Sequence, residues 1–158
     1  MRRKDREITD KNEIYEIIDK CTVCRIGFYD EKEKEVYIVP MNFGYTKEND
    51  EITLFFHGAK EGRKIELTQK YNSVGFEMET NYKVNSGDIA CEYSARFESI
   101  IGNGEISLLE KAEDKKFALN RIMYQNTKKD NWQFNEDMID LICILKLNVT
   151  KLTCKRHE

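Results

Sequence analysis

The stretch VYIVPMNFGYTKENDEITLFFHGAKEGRK, residues 36–64, runs from two apolar segments into a bend rich in small and basic residues. Its first part, VYIVPMNFGY, is apolar on both faces and predicts a single strand. Pro40 has no N–H to donate, so the ladder is expected to break or bulge there. The polar run KENDE predicts a turn. ITLFFHG then predicts another strand, with Ile52, Leu54 and Phe56 on one face and Phe55 and His57 on the other. From Ala59 to about Tyr71 the apolar spacing is helical, with Ile65 and Leu67 turned inward.

The flanking sequence extends this pattern. Upstream, Ile14, Ile17, Ile18 and Cys21 recur at i, i+3, i+4 and i+7, which predicts an amphipathic helix capped by Thr9 or Asp10. TVCRIGFYD predicts a strand, and the charged run DEKEKE at 30–35 a solvated turn. Downstream, NSVGFEMET alternates Val74, Phe76 and Met78 as a strand, and NYKVNSGDIA reads as a loop. CEYSARFESIIGNGEIS predicts a long strand bent at Gly102 and Gly104. Residues 111–126 predict a helix with Ala118, Leu119, Ile122 and Met123 on its core face. A polar connection carrying Trp132 follows, and LICILKLNVTKLTC closes the chain as a strand. About six strands joined by tight turns or a single helix predict an α+β fold, a small six-stranded antiparallel barrel with peripheral helices.

The chain has 158 residues and a single proline, with no Ser/Gly tract and no internal repeat, so one domain over 1–158 is expected. Its 26 basic and 29 acidic side chains give a net charge of −3, without the basic surplus a general nucleic-acid binder needs. No apolar run approaches the ~20 residues of a membrane span, and the charged start MRRKDREITD does not resemble a signal peptide, so a cytoplasmic location is expected. Five cysteines without an export signal predict reduced thiols. Cys21 and Cys24 have C-x-x-C spacing, but no second ligand pair accompanies them. They read as small buried residues where a helix passes into a strand, and no metal site is expected.

The bend FFHGAKEGRK, residues 55–64, carries the chemistry. A helix beginning near Ala59 or Lys60 presents unpaired N–H groups and a partial positive charge to an anion. Gly58 and Ala59 allow close approach to the backbone. Arg63 and Lys64, expected one turn into the helix, can grip a phosphate. The plainer reading is a solvated basic turn. Against it, cations in a first turn oppose the helix dipole, and Glu61 offsets only part of that. The spacing is not that of a P-loop, and no G-x-G-x-x-G is present.

The ordered segments RRKDREITD, YIVPMNFGY, FFHGAKEGRK, FEME and SIIGNGE resemble flavoproteins of the nitroimidazole-resistance type, within the pyridoxamine 5′-phosphate oxidase-like superfamily of FMN-binding split barrels. The resemblance runs from the basic arm at Arg2 and Arg3 to the final strand. It implies a homodimer with FMN in clefts at the interface. It further implies that Arg63 and Lys64 hold the FMN phosphate. Val39, Pro40, Met41, Asn42 and Phe43 would lie along the isoalloxazine edge, through backbone groups freed at Pro40. His57, Gly58 and Ala59 would line the cleft, and Ser99 would give a polar contact. NAD(P)H is the electron donor implied. Where the pyridoxamine 5′-phosphate oxidases themselves carry an arginine and a lysine, this chain has Met41, Asn42 and Phe43. Vitamin B6 oxidation is therefore not expected.

His57 is the candidate catalytic group, since an imidazole beside a flavin can give or accept a proton. The competing reading is a cleft histidine held in place by hydrogen bonds. His157 reads as a solvated tail residue, Trp132 as a packing anchor, and Tyr93, Phe97 and Tyr124 as core or interface. The function expected is FMN-dependent reduction of a small molecule such as a nitroimidazole. The alternatives are a non-catalytic flavin- or haem-binding module and a deazaflavin-dependent reductase of the same fold.

Overall fold

The computed structural model describes residues 3–158. A 3-10 turn at Lys4–Arg6 leads into strand β1 (Glu7–Ile8), helix α1 (Lys11–Lys20) and strands β2 (Val23–Asp30), β3 (Glu35–Asn42), β4 (Gly44–Glu48) and β5 (Glu51–Ala59). Helix α2 (Arg63–Lys70), strands β6 (Ser73–Asn85) and β7 (Ser94–Leu109), helices α3 (Ala112–Thr127) and α4 (Glu136–Asp140), and strand β8 (Ile142–His157) complete the chain. Arg2, assigned above to the basic arm, lies outside the described residues; Arg3 donates to Asp5 at 2.8 Å.

The sheet runs β3-β2-β6-β7-β8-β5-β4, with β1 added against β8. Every pairing is antiparallel. The two end strands, β3 and β4, are consecutive in the chain and joined by Phe43 alone, which is fully buried. Joining the ends of a seven-strand path through one residue forces the sheet to curl back on itself, leaving a seam between β3 and β4. α1 and α2 pack against the main core, and α3 against the other face of β5.

Eight strands among the described residues replace the six expected. Two departures account for this. VYIVPMNFGY does not form one strand, because the chain turns a corner at Phe43 and changes neighbour from β2 to β5. The segment before α1 adds a two-residue strand, with Glu7 opposite Lys155. Pro40 does not interrupt its ladder: the β2–β3 register passes from Met41 through Pro40 to Val39 without a shift. Because β3 is an edge strand, paired with β2 alone, a missing N–H is tolerated on its open side. The irregularities fall instead at Thr80/Lys83 and Asn103/Gly104. After the first of these, β6 continues through Asn85, so the start of the loop expected at 81–90 is strand.

Side-chain alternation fills the interior with Cys24, Ile26 and Phe28 from β2, Leu54 and Phe56 from β5, Val74, Phe76 and Met78 from β6, and Ile100 from β7. Ile17 and Ile18 of α1 close one end. Asp10 caps α1 by accepting the Glu13 N–H at 3.0 Å. Phe55, on the other face of β5, packs with Ala118, Ile122 and Ile144 under α3. Gly44 is required at this contact, because a Cβ there would stand 2.2 Å from the backbone carbon of Arg121. The Cys21 and Cys24 thiols are buried at the α1–β2 passage, as expected.

Candidate functional site

The bend between β5 and α2 is built by the end of one strand and a single glycine. β5 runs one residue beyond Gly58, to Ala59, and α2 begins only at Arg63. Gly62 is its N-cap, at φ 114° and ψ 169°. This is backbone that side chains rarely adopt, and it explains a glycine that looks costly if the helix is started earlier. Arg63 and Lys64 are therefore the first two helical residues rather than one turn in. Gly62 offers no side-chain cap to the first N–H groups of α2, and nothing lies within 4 Å of where its Cβ would be. The corner thus keeps uncapped donors with open access, which suits an anion.

The two basic side chains diverge. Lys64 folds back over Gly58: a Cβ on that glycine would meet Lys64 Cε and Nζ at 2.8 Å. Cys143 stands opposite Gly58 in the β5–β8 ladder, and its thiol donates to the Ala59 carbonyl at 3.0 Å. Burial pushes this thiol's pKa up, while Lys64 and Lys115 pull it down. Arg63 turns the other way, to the β2–β3 hairpin. Its Nη2 donates to Asp30 Oδ2 at 2.9 Å and to Glu35 Oε1 at 2.6 Å, and its Nε to Asp30 Oδ2 at 3.2 Å. The guanidinium also lies 4.8 Å from the Tyr37 ring centroid. Asp30 is buried and accepts the Lys32 and Glu33 N–H groups as well. The Arg63 hydrogen bond holds its carboxyl below the usual aspartate range.

The other candidate residues are placed as follows. Val39 and Met41 turn toward the core, and Phe43 is fully buried, so along 39–43 only Pro40, Asn42 and the open backbone edge face outward. Asn42 Nδ2 donates to the Thr22 carbonyl at 3.0 Å. His57 is exposed and opposite Ile144, on the face of β5 that carries Phe55 and Ala59. Gly58 belongs to the other face, so His57 and Gly58 flank the strand rather than sharing one wall. Ser99 lies opposite Lys155, at the other end of β8 from Ile144, about 35 Å of strand path away. Within one chain the fold therefore gathers Gly58, Ala59, Arg63 and Lys64, sets His57 beside them, and leaves Ser99 apart.

Sequence reasoning missed Asp30, Glu35, Tyr37 and Cys143 at this corner. DEKEKE reads as solvated, yet its first and last residues both hold Arg63. Their parity was the available signal, since Asp30 and Glu35 are cross-strand partners on the inward face. His157 is also no solvated tail: its Nδ1 lies 2.6 Å from the Ala95 carbonyl and its Nε2 2.8 Å from Arg6.

The family model described as pyridoxamine 5′-phosphate oxidase matches residues 10–156. Among solved structures, a candidate 5-nitroimidazole antibiotic resistance protein of Bacteroides thetaiotaomicron is 36% identical. The match covers 95% of this chain and 86% of that one, at a TM-score of 0.80. A flavocytochrome of Azotobacter vinelandii is 15% identical over 100% of this chain and 72% of that one, at a TM-score of 0.78. A FAD and heme binding protein of Mycobacterium smegmatis is 13% identical over 97% and 74%, also at 0.78. The last two show the likeness of fold alone. Among curated proteins none matches.

Proposed function

Because the chain belongs to the pyridoxamine 5′-phosphate oxidase family, within its split-barrel superfamily, we propose that it is an FMN-dependent oxidoreductase. In this reading a nicotinamide donor drives reduction of a small molecule such as a nitroimidazole or another nitroaromatic. The observation that carries the reading is the β5–α2 corner, with its uncapped helix start, the open approach at Gly62 and Lys64 beside Gly58. The likeness to the Bacteroides protein supports the substrate class. Bound flavin would supply hydride and electron transfer.

The chain's own residues bind and orient. The first N–H groups of α2, with Lys64 and Arg63, receive the phosphate. The open edge of β3 at Pro40 and Asn42 offers backbone groups to the ring system. His57, exposed next to the corner, is the group placed to hold or move a proton. Ser99, remote within one chain, serves a cleft only if a second copy supplies part of it. The outer face of the sheet supports such a homodimer. Tyr29, Val36, Ile38 and Ile101 are 53–62% exposed there, around Gly27 and Gly75. A Cβ on either glycine would make only ordinary contacts, 3.6 Å or longer, so packing inside the chain does not require them. Strand glycines of this kind mark where another backbone or a ligand comes close.

The test is expression of the protein and identification of any yellow ligand released by denaturation. The expected ligand is FMN, and NADH or NADPH should bleach it in the native protein by hydride transfer. Lys64→Ala should lose most of the bound flavin while keeping the melting temperature of the flavin-stripped wild type, and Arg63→Ala with Lys64→Ala the remainder. Full occupancy in the double variant would refute the phosphate assignment. A deazaflavin or haem in the extract, or bound flavin that NADH and NADPH both leave oxidised, would refute the FMN-dependent reductase reading. Light scattering should report a dimer; a flavin-loaded monomer would sink the shared-cleft part.

A further inference from the structure

Arg63 has two carboxylate partners of different character. Asp30 is buried, its side chain 11% exposed, and it is fixed by two turn N–H groups as well as by Nε and Nη2 of the guanidinium. Glu35 is 56% exposed, and it meets the same Nη2 at 2.6 Å from the solvent side. Tyr37 packs against the guanidinium. Asp30 and Tyr37 therefore hold the group in place, whereas Glu35 takes up a donor that an incoming anion could use.

We propose that Glu35 is an internal competitor for the anion-binding edge of Arg63, and that Asp30 is the residue that positions the guanidinium. This deepens the reading of the corner as a phosphate site and rests on it. A phosphate arriving at the start of α2 must replace the Glu35 carboxylate at Nη2, since the two negative groups repel each other at that range. The exchange is undemanding because the Glu35 pair is half in solvent, where ion pairs are weak and screened. Asp30 is not exchanged. Its removal would free the guanidinium to leave the corner and would uncap the turn after β2. Lys64 and Lys115, which act on Cys143 at the corner, are cationic and favourable to the anion. Lys60 in the bend adds to them, while Glu61 in the bend and Glu66 in the first turn of α2 oppose it and are common to both variants.

The proposal separates ligands by charge. Glu35→Gln should lower the Kd for FMN roughly three- to tenfold, the scale of one half-exposed charge pair removed and one repulsion lifted. It should leave binding of riboflavin, which has no phosphate, unchanged. Asp30→Asn should weaken FMN binding without affecting riboflavin; because that variant can also unsettle the turn, Glu35→Gln is the deciding one. Flavin fluorescence quenching in titrations of the full chain reads both, with no need for turnover. Inorganic phosphate provides an arm independent of flavin: its stabilising shift in melting temperature should be larger in Glu35→Gln than in the wild type. An unchanged or weaker FMN affinity in Glu35→Gln, with wild-type FMN binding intact, overturns the competitor and spares the flavin assignment. Absence of flavin binding together with a larger phosphate shift in Glu35→Gln overturns the flavin assignment and keeps the competitor. Equal phosphate shifts in the two proteins overturn the competitor in either case.

Discussion

At the scale of single residues, the five cysteines sort by environment. Burial raises the Cys21 thiol to about 12 and the Cys154 thiol to about 11, and pushes Cys24 higher as well. Cys91 is exposed. An aromatic disulfide reagent at neutral pH should therefore titrate one thiol rapidly in the native protein and five in denaturant; two or more fast native thiols would contradict the buried cluster. The burial of Cys21 and Cys24 was legible in the sequence, because a stripe at helical spacing leads into them. Arg63 was legible as a basic residue of the bend but not as an ion-paired one. Within DEKEKE itself Asp30 and Glu35 look like Glu31 and Glu33, and only their parity with the inward residues of the flanking strands sets them apart. The register of β2 against β3 turns the first two inward together.

Among elements, the expectations that rested on strong periodicity were α1, β2, β5 and β7. The weakest were those set by what a segment meets. The corner at Phe43 divides a mainly apolar run; Asn42 and Gly44 flank it, but the need for Gly44 is the approach of α3, which the run itself does not show. The start of α2 was placed too early because helical spacing extends back through the bend, while the φ of Gly62 is a backbone property. Gln125 shows the same limit. On α3 it looks like a surface residue, yet it is buried and donates at 2.8 Å to the carbonyls of both Ile18 and Cys21. It thus completes the C-terminus of a helix more than a hundred residues away in sequence. Gln125→Ala should cost about 2 kcal/mol, the scale of losing buried hydrogen bonds with their acceptors left behind. Urea denaturation gives the value, and a loss under about 0.5 kcal/mol would show the carbonyls to be satisfied otherwise.

For the molecule as a whole, stability in acid depends on a network that joins opposite ends of the chain. Glu98, buried on β7, accepts from Arg156 Nε at 2.8 Å and from Asn81, with Lys20 at 3.5 Å; Arg156 also reaches Glu13 at 2.8 Å. Burial alone would raise the Glu98 pKa, but these partners outweigh it and hold it below the ordinary value of 4.5. A carboxylate with a depressed folded pKa stabilises fully above its unfolded value. That contribution is lost as pH falls through the folded one. The melting temperature should therefore drop as pH falls below about 4.5, and Glu98→Gln should flatten that part of the profile while lowering the plateau at neutral pH. A steeper acid loss in Glu98→Gln would place the sensitivity elsewhere. The position of β8 has a different consequence. This last strand lies between β7 and β5 and also carries β1. During synthesis, every earlier strand can leave the ribosome while the centre of the sheet is still missing. Until residues after Ile142 emerge, β5 and β7 each present a bare edge, the kind of surface that recruits chaperones or stray strands. A stalled or prematurely terminated message for this protein should yield an insoluble fragment rather than a shortened working one.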